Sequence, residues 1–215
     1  MYNTATETAY RRELKEKILR VATALFHRYG IRRVKMDDIA NDLKISKRTL
    51  YEIYSNKEKL LLEVMRNDKL VESRRMEGFD RPGSNVINIV IEVCKYRIEE
   101  FSQINPLFFE DIHKYPELLA HVRKLHEQRE SDVLAFMQRG IDEGLFLPDI
   151  NYGIVRTLTN ASQQAIMNLY LYKKYDVTEL AHVAILLFIR GFCTPEGVRQ
   201  LDEQLESLAW IKSGR

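Results

Sequence analysis

The stretch SKRTLYEIYSNKEKL, Ser46 to Leu60, decides how the chain is read. Ser46 is a good N-cap for a helix of about Lys47 to Tyr54, because a side-chain oxygen there accepts one of the backbone N–H groups that a helix start leaves unpaired. Leu50 and Tyr54 repeat at i, i+4 and face inward. Lys47, Arg48, Thr49, Tyr51 and Glu52 then face outward, together with Ile53, an apolar residue for which the pattern offers no role. Ser55 and Glu58 have capping-box spacing and open a further helix, which carries Leu60, Leu61, Val64 and Met65 on to about Arg75.

Immediately upstream, Met36 to Leu43 reads as another short helix that buries Met36, Ile39, Ala40 and Leu43. Asp37 and Asp38 fall in its first turn, where the helix dipole favours anions. Two short helices joined by a turn at Lys44 and Ile45, the second basic on its free side, form a helix-turn-helix suited to a DNA major groove about 12 Å wide. Backbone N–H groups at the start of the next helix, with Lys57 beside them, offer a phosphate site. Further upstream, Leu14, Ile18, Val21, Ala22, Leu25, Phe26 and Tyr29 mark one face of a helix over Arg11–Tyr29, which stops at Gly30.

Charge is distributed in the same sense. Residues 1–60 hold 14 Lys/Arg against 8 Asp/Glu, and residues 61–215 hold 19 against 23. A basic first quarter on an acidic body points to a polyanion partner for the first part alone. The composition, 45% hydrophobic and 30% charged, is that of an ordered globular protein. Its longest apolar run, Val183 to Ile189, is too short to span a bilayer, and MYNTATETAY lacks an apolar leader core, so a cytoplasmic protein is expected. Cys94 and Cys193 lack CxxC or metal spacing and are expected as reduced, packed thiols.

Gly30 followed by VKMDDIANDLKISKRTLYEIYSNKEKLLLEV resembles the DNA-binding signature of the TetR (tetracycline-repressor) family of bacterial one-component regulators, over roughly residues 12–65. The resemblance implies a three-helix DNA-binding domain, a larger all-helical ligand-binding and dimerisation domain, and a homodimer on a palindromic operator. It places Ser46, Lys47, Arg48 and Thr49 at the start of the recognition helix, Tyr51 at a phosphate-contacting tyrosine and Lys57 at a phosphate-contacting lysine. Two positions depart from the pattern. Lys35 stands where a capping Thr is usual, putting a cation within reach of phosphate, and Lys44 replaces the turn Gly that adopts a left-handed conformation without steric cost.

The expected fold is all-α: a helix-turn-helix domain over 1–58, a connecting helix of about 56–75, and an effector-binding and dimerisation domain over 76–215. Breaks at Arg81-Pro-Gly-Ser and at Pro106, Pro116, Pro148 and Pro195 divide the body. The helices are predicted over about Asn85–Gln103, Leu107–Lys114, Glu117–Glu143, Ile150–Lys173, Thr178–Cys193 and Pro195–Ile211, with a Gly-bearing elbow at Glu143-Gly144-Leu145-Phe146. The helices of about 150–173 and 178–193 are apolar enough to form a homodimer interface. Tyr96, Phe108, Phe109, His113, His121, Phe136, Gln163, Gln164, Met167 and Tyr170 are polar or aromatic residues set in apolar pattern. These are the candidate lining for a small, mainly apolar or aromatic effector.

Two other readings compete. Glu110-x-x-His113 and Glu179-x-x-His182, with Glu99 and Glu130, match the ligand spacing of helical di-iron proteins. Glu110, however, is confined between Pro106 and Pro116, and Glu179 falls in a first helical turn where capping accounts for it. A regulator whose body answers to a protein partner rather than a small molecule is the third reading. No GxSxG, HExxH or Gly-rich phosphate loop is present, so neither a catalytic residue, a bound metal nor a cofactor is expected.

Overall fold

In a computed structural model, residues 4–112, 114–116, 118, 120 and 130–206 are described. They form α-helices α1 (Thr4–Tyr29), α2 (Met36–Asp42), α3 (Lys47–Ile53), α4 (Lys57–Glu77), α5 (Val86–Gln103), α6 (Pro106–Ile112), α7 (Glu130–Asp142), α8 (Tyr152–Asn168), α9 (Val177–Ala184) and α10 (Pro195–Glu206). Among the described residues there is no β-strand, only an isolated bridge between Phe146 and Cys193.

The chain divides into two compact units, one of Met1–Arg74 with Gln103–Arg123, the other of Arg75–Ser102 with Lys124–Arg215. The sequence reading set its single boundary after the connecting helix and so did not anticipate that α6 groups with the N-terminal helices. In the first unit α1 packs against α2 and α6, and α2 against α3. The inward stripe of α1 supplies Ile18, Ala22 and Phe26, which are fully buried with Ile31, Ile39, Leu50, Leu60, Leu61 and Val64, and with Phe108 from α6. Gly30 (φ +83°) ends α1 in the left-handed region, and a Cβ there would lie 2.8 Å from the Leu107 Cβ. The position therefore needs glycine twice, for backbone conformation and for the approach of α6.

The second unit has a core of Val86, Ile87, Ile91, Phe146, Ile185 and Leu201. Phe136, Phe146, Phe192 and Tyr152 stack edge-to-face in a chain with centroid separations of 6.3, 5.0 and 5.6 Å. A guanidinium clamps its first loop: Arg139 donates from Nη1 to both oxygens of Asp80 at 2.9 Å, from Nη2 to the Ser84 carbonyl at 2.6 Å, and from Nε to Glu143 at 2.7 Å. Glu143 in turn accepts the Val86 N–H at 2.8 Å, which ties the start of α5 to the same group.

Several element ends differ from expectation for identifiable reasons. The cap of α4 is Asn56, whose Oδ1 accepts the Lys59 N–H at 2.8 Å, so the start lies one residue beyond the Ser55–Glu58 box. Asn serves this role as well as Ser, and adjacent candidates compete on equal terms. The helix expected over Ile150–Lys173 is capped by Asn151 and stops at Asn168, because Tyr170 turns left-handed (φ +53°) before a single 3₁₀ turn at Leu171–Lys173. That expected over Thr178–Cys193 starts at Val177 under an Asp176 cap, then widens into a π-helical turn over Ile185–Ile189 and tightens into 3₁₀ at Arg190–Phe192. Within the run Val183 to Ile189 only Ile185 is buried, while Val183, Leu186 and Leu187 are exposed.

Candidate nucleic-acid interface

The helix-turn-helix is built on a Schellman turn. Leu43 caps α2, the Lys44 N–H donates to the Asn41 carbonyl at 3.1 Å, and the Ile45 N–H reaches back to the Ala40 carbonyl at 3.0 Å. This pattern requires a left-handed residue at the position after the cap, and Lys44 takes it with φ +54°. The usual turn is thus kept despite the missing glycine. The same motif recurs in the second unit at the elbow after α7, where Gly144 (φ +72°) is the left-handed residue and the Leu145 N–H bonds back to the Gly140 carbonyl.

Lys35 stands at the N-cap of α2 with extended backbone and no side-chain cap bond. A lysine has no acceptor to offer, so Asp38 works from the other side and accepts the Lys35 N–H at 2.7 Å. The Lys35 side chain remains exposed. Ser46 caps α3 as expected: its Oγ accepts the Thr49 N–H at 3.0 Å and shares a 2.8 Å hydrogen bond with the Thr49 hydroxyl. Thr49 is therefore half-buried and committed to the cap.

Leu50 is fully buried and Tyr54, now the C-cap residue, is 5% exposed, so these two anchor α3 to the core as the spacing predicts. Burial pushes the Tyr54 phenol well above its usual range, and its hydroxyl has no hydrogen-bond partner among the described residues. Ile53 is not an exposed residue: it is half-buried and packs against the first unit's core. The outward face holds Lys47, Arg48 and Tyr51, with Tyr51 46% exposed.

Both cations on this face are already paired. Lys47 Nζ lies 2.5 Å from Asp37 of α2, and Arg48 Nε donates to Glu52 at 2.9 Å. Each carboxylate raises the pKa of its partner, chiefly through the hydrogen bond. Arg48 and Glu52 stand i, i+4 within α3, whereas Lys47–Asp37 depends on how α2 meets α3. Arg11 was not anticipated as part of this surface. Its Nη2 reaches the Glu52 carbonyl at 3.3 Å and so caps the last turn of α3 from outside. Lys57 is half-buried, its ammonium 5.8 Å from the Phe26 ring centroid, and burial lowers its pKa.

The candidate effector residues do not form one group. Tyr96 is buried on α5 with the Arg75 guanidinium 4.8 Å from its ring, and Phe136 is half-buried against Phe146. Phe109 belongs to the first unit, where it packs on the core beside Phe108 at 5.6 Å. On α8 Gln163 and Gln164 are exposed and Met167 is half-buried, while Tyr170 sits exposed at the left-handed break. His113 and His121 lie outside the described residues. One polar group escaped the sequence reading as a ligand anchor: the His182 Nδ1 on α9 is buried with no hydrogen-bond partner among the described residues. Among those residues no three His, Cys, Asp or Glu side chains gather as a metal site.

Comparison with known proteins decides what this arrangement belongs to. Residues 18–64, which span the C-terminal half of α1, the helix-turn-helix and the start of α4, match the bacterial regulatory proteins of the tetR family. The helix-turn-helix segment is that of the tetR family. The TetR-type fold extends beyond the matched segment. A Saccharomonospora viridis protein classed as a transcriptional regulator, solved in complex with choline, superposes with a TM-score of 0.70 at 16% identity, covering 85% of this chain and 99% of its own. A TetR-family regulator from Marinobacter aquaeolei VT8 gives 0.67 at 20% identity, covering 89% and 97%. The fatty acid degradation regulator FadR from Bacillus halodurans gives 0.64 at 14%, covering 82% and 95%. By sequence, no curated protein matches the chain significantly. No described helix is long and apolar enough to cross a membrane.

Proposed function

We propose that this chain is a TetR-family repressor that binds a palindromic operator as a homodimer and is released by a small, mainly apolar or aromatic effector. The observation that carries the DNA half of this reading is the orientation of α3. Leu50 and Tyr54 hold it to the core, and Lys47, Arg48 and Tyr51 are left facing outward. Arg48 is the reader of a guanine edge and Lys47 a second base contact. Tyr51, with Thr49 behind it, and Lys57 with Lys35 meet the sugar-phosphate backbone.

Support for the homodimer comes from two apolar stripes that solvent meets in the single chain. Ile154 and Leu158 on α8 are 57% and 56% exposed, and Leu187 beyond α9 is 67% exposed. Ile154 and Leu158, one helical turn apart, share one exposed face of α8, as an interface helix requires. A twofold axis through it also fits the reading of two half-sites. For the effector, the second unit offers Tyr96, Phe136, Met167 and the unpartnered His182 Nδ1, an apolar and aromatic set with one hydrogen-bonding group. One structural relative is named for fatty acid degradation, which fits a ligand with a substantial apolar part, whereas another was solved with choline, a small quaternary ammonium cation.

Effector binding then favours a state in which the two recognition helices no longer span both half-sites, and affinity falls by the effector's preference for that state. A thermal-shift screen of the full-length protein against apolar amines, acyl chains and aromatic compounds tests this. Compounds that raise the melting temperature are expected to weaken operator binding, and stabilisers that leave operator binding unchanged would speak against the effector reading.

A further inference from the structure

Arg48 carries a side chain that is 89% exposed, yet its orientation is not left to solvent. Its Nε donates to Glu52 Oε1 at 2.9 Å, one helical turn further on. The backbone at Glu52 is held in turn by the Arg11 guanidinium, which donates to its carbonyl at 3.3 Å. Arg48 has no other hydrogen-bond partner among the described residues, so the terminal Nη1 and Nη2 edge of the guanidinium is the edge that remains available.

A guanidinium can grip a two-acceptor target either through Nε and one Nη, or end-on through both Nη groups. Engagement of Nε by a carboxylate removes the first mode and leaves the second, which matches the O6 and N7 acceptors of guanine. The same carboxylate places a negative charge beside the reader. It disfavours non-selective settling of Arg48 onto a phosphate, where no base information is read. We propose that Glu52 is a specificity-determining positioning residue: it holds Arg48 end-on for guanine and suppresses its use as a phosphate contact. This rests on Arg48 being a base reader, as argued above. Asp37 holds Lys47 in the same sense from α2, so both cations of the recognition helix are carboxylate-paired.

The test uses the full-length protein with a randomised duplex library, the duplex selected from it, and a mixed-sequence duplex. A bidentate arginine–guanine pair discriminates against other bases by roughly 5- to 150-fold. Wild-type protein is expected to select guanine at one position per half-site, and Arg48→Ala to abolish that preference. Glu52→Ala, which leaves no acceptor for Arg48 Nε, is expected to lower it by about fivefold while tightening binding to the mixed-sequence duplex, with a steeper salt dependence. In the Arg48→Ala background, Glu52→Ala is expected to change no base preference, which a residue acting through Arg48 requires. Three results overturn the proposal. If Glu52→Ala leaves the guanine preference intact, Glu52 does not position Arg48, although Arg48 remains the reader. If Glu52→Ala still shifts a base preference without Arg48, Glu52 reads a base directly, as a carboxylate can with cytosine N4. If Arg48→Ala leaves all preferences unchanged, the base-reader assignment fails and the proposal with it. Because both side chains are exposed, matching helicity and melting temperature across the variants will separate these outcomes from loss of fold.

Discussion

The Asp111 carboxylate of α6 accepts the backbone N–H of Arg32 at 2.7 Å, which bonds α6 to the segment that leads from α1 into the helix-turn-helix. Asp111 is 6% exposed and is the one buried charged residue among those described, with Lys114 at 3.6 Å as its cationic neighbour. Together with Leu107 against Gly30, it fixes where α6 sits on the first unit. Asp111→Ala is expected to destabilise the protein by about 1–3 kcal/mol, since it removes the charged acceptor of a part-buried backbone N–H. Urea unfolding of the full chain measures this, and Asp111→Asn, which keeps an acceptor, is expected to lose less.

At the turn, Lys44 accepts a left-handed conformation that costs a residue with a Cβ roughly 1–2 kcal/mol. Lys44→Gly is therefore expected to raise stability by about 0.5–1 kcal/mol, after the greater unfolded-state freedom of glycine is deducted. Thermal unfolding with unchanged helicity checks the sign. A lower melting temperature would mean that the Lys44 side chain does more for the turn than its backbone costs.

The exposed stripes make a prediction about assembly. Leu187→Glu and Leu158→Glu place a charge on the surface that the dimer reading buries, and each is expected to yield monomer in sedimentation at micromolar concentration. Helix content is expected to stay the same, because both side chains face solvent in the single chain. A variant that remains dimeric would move the interface elsewhere.

Desolvation raises both thiols, Cys94 and Cys193, to about 11. Since only the thiolate reacts, alkylation of the native protein at pH 8 is expected to run about a hundredfold slower than in the unfolded chain. A folded pKa above the unfolded one also contributes stability that is present below about pH 8.5 and lost as pH rises towards 11. Iodoacetamide labelling with and without denaturant reads the first effect, and alkaline unfolding midpoints of Cys94→Ala and Cys193→Ala read the second.

What could be read from sequence follows from what local pattern encodes. The inward stripe of α1, the Ser46 cap and the Leu50–Tyr54 anchor are short-range features with one dominant physical solution, and the structure has them where spacing put them. Proline at the first position of α6 likewise marked a boundary. Ser55 and Asn56 are adjacent and equally good caps, so only tertiary context could choose between them. Tyr170 breaks α8 without a glycine to announce it, and the widened turn at Ile185–Ile189 shifts register within an unbroken apolar run; the sequence carries no evident reason for either. Ile53 was assigned outward by α3 periodicity alone, but the core extends round to it. Grouping of α6 with the first unit depends on Gly30 meeting Leu107 and Asp111 meeting Arg32, contacts between residues about 80 positions apart that periodicity does not encode. The effector candidates suffered most for the same reason: aromatic residues in apolar pattern serve cores and pockets alike, and Phe109 went to the first unit's core.

The central claim is that α3 reads DNA as one of a twofold pair. Selection of bound duplexes from a randomised library by the full-length protein, followed by titration of the selected duplex at several salt concentrations, tests it most directly. The account predicts an inverted repeat with half-sites spaced by about one or more helical turns, bound by a dimer, with affinity falling steeply as salt rises. Lys57→Ala should lower affinity for all duplexes alike and reduce the salt slope by about one. Failure to enrich any sequence, or enrichment of a site without twofold symmetry bound by a monomer, would contradict it.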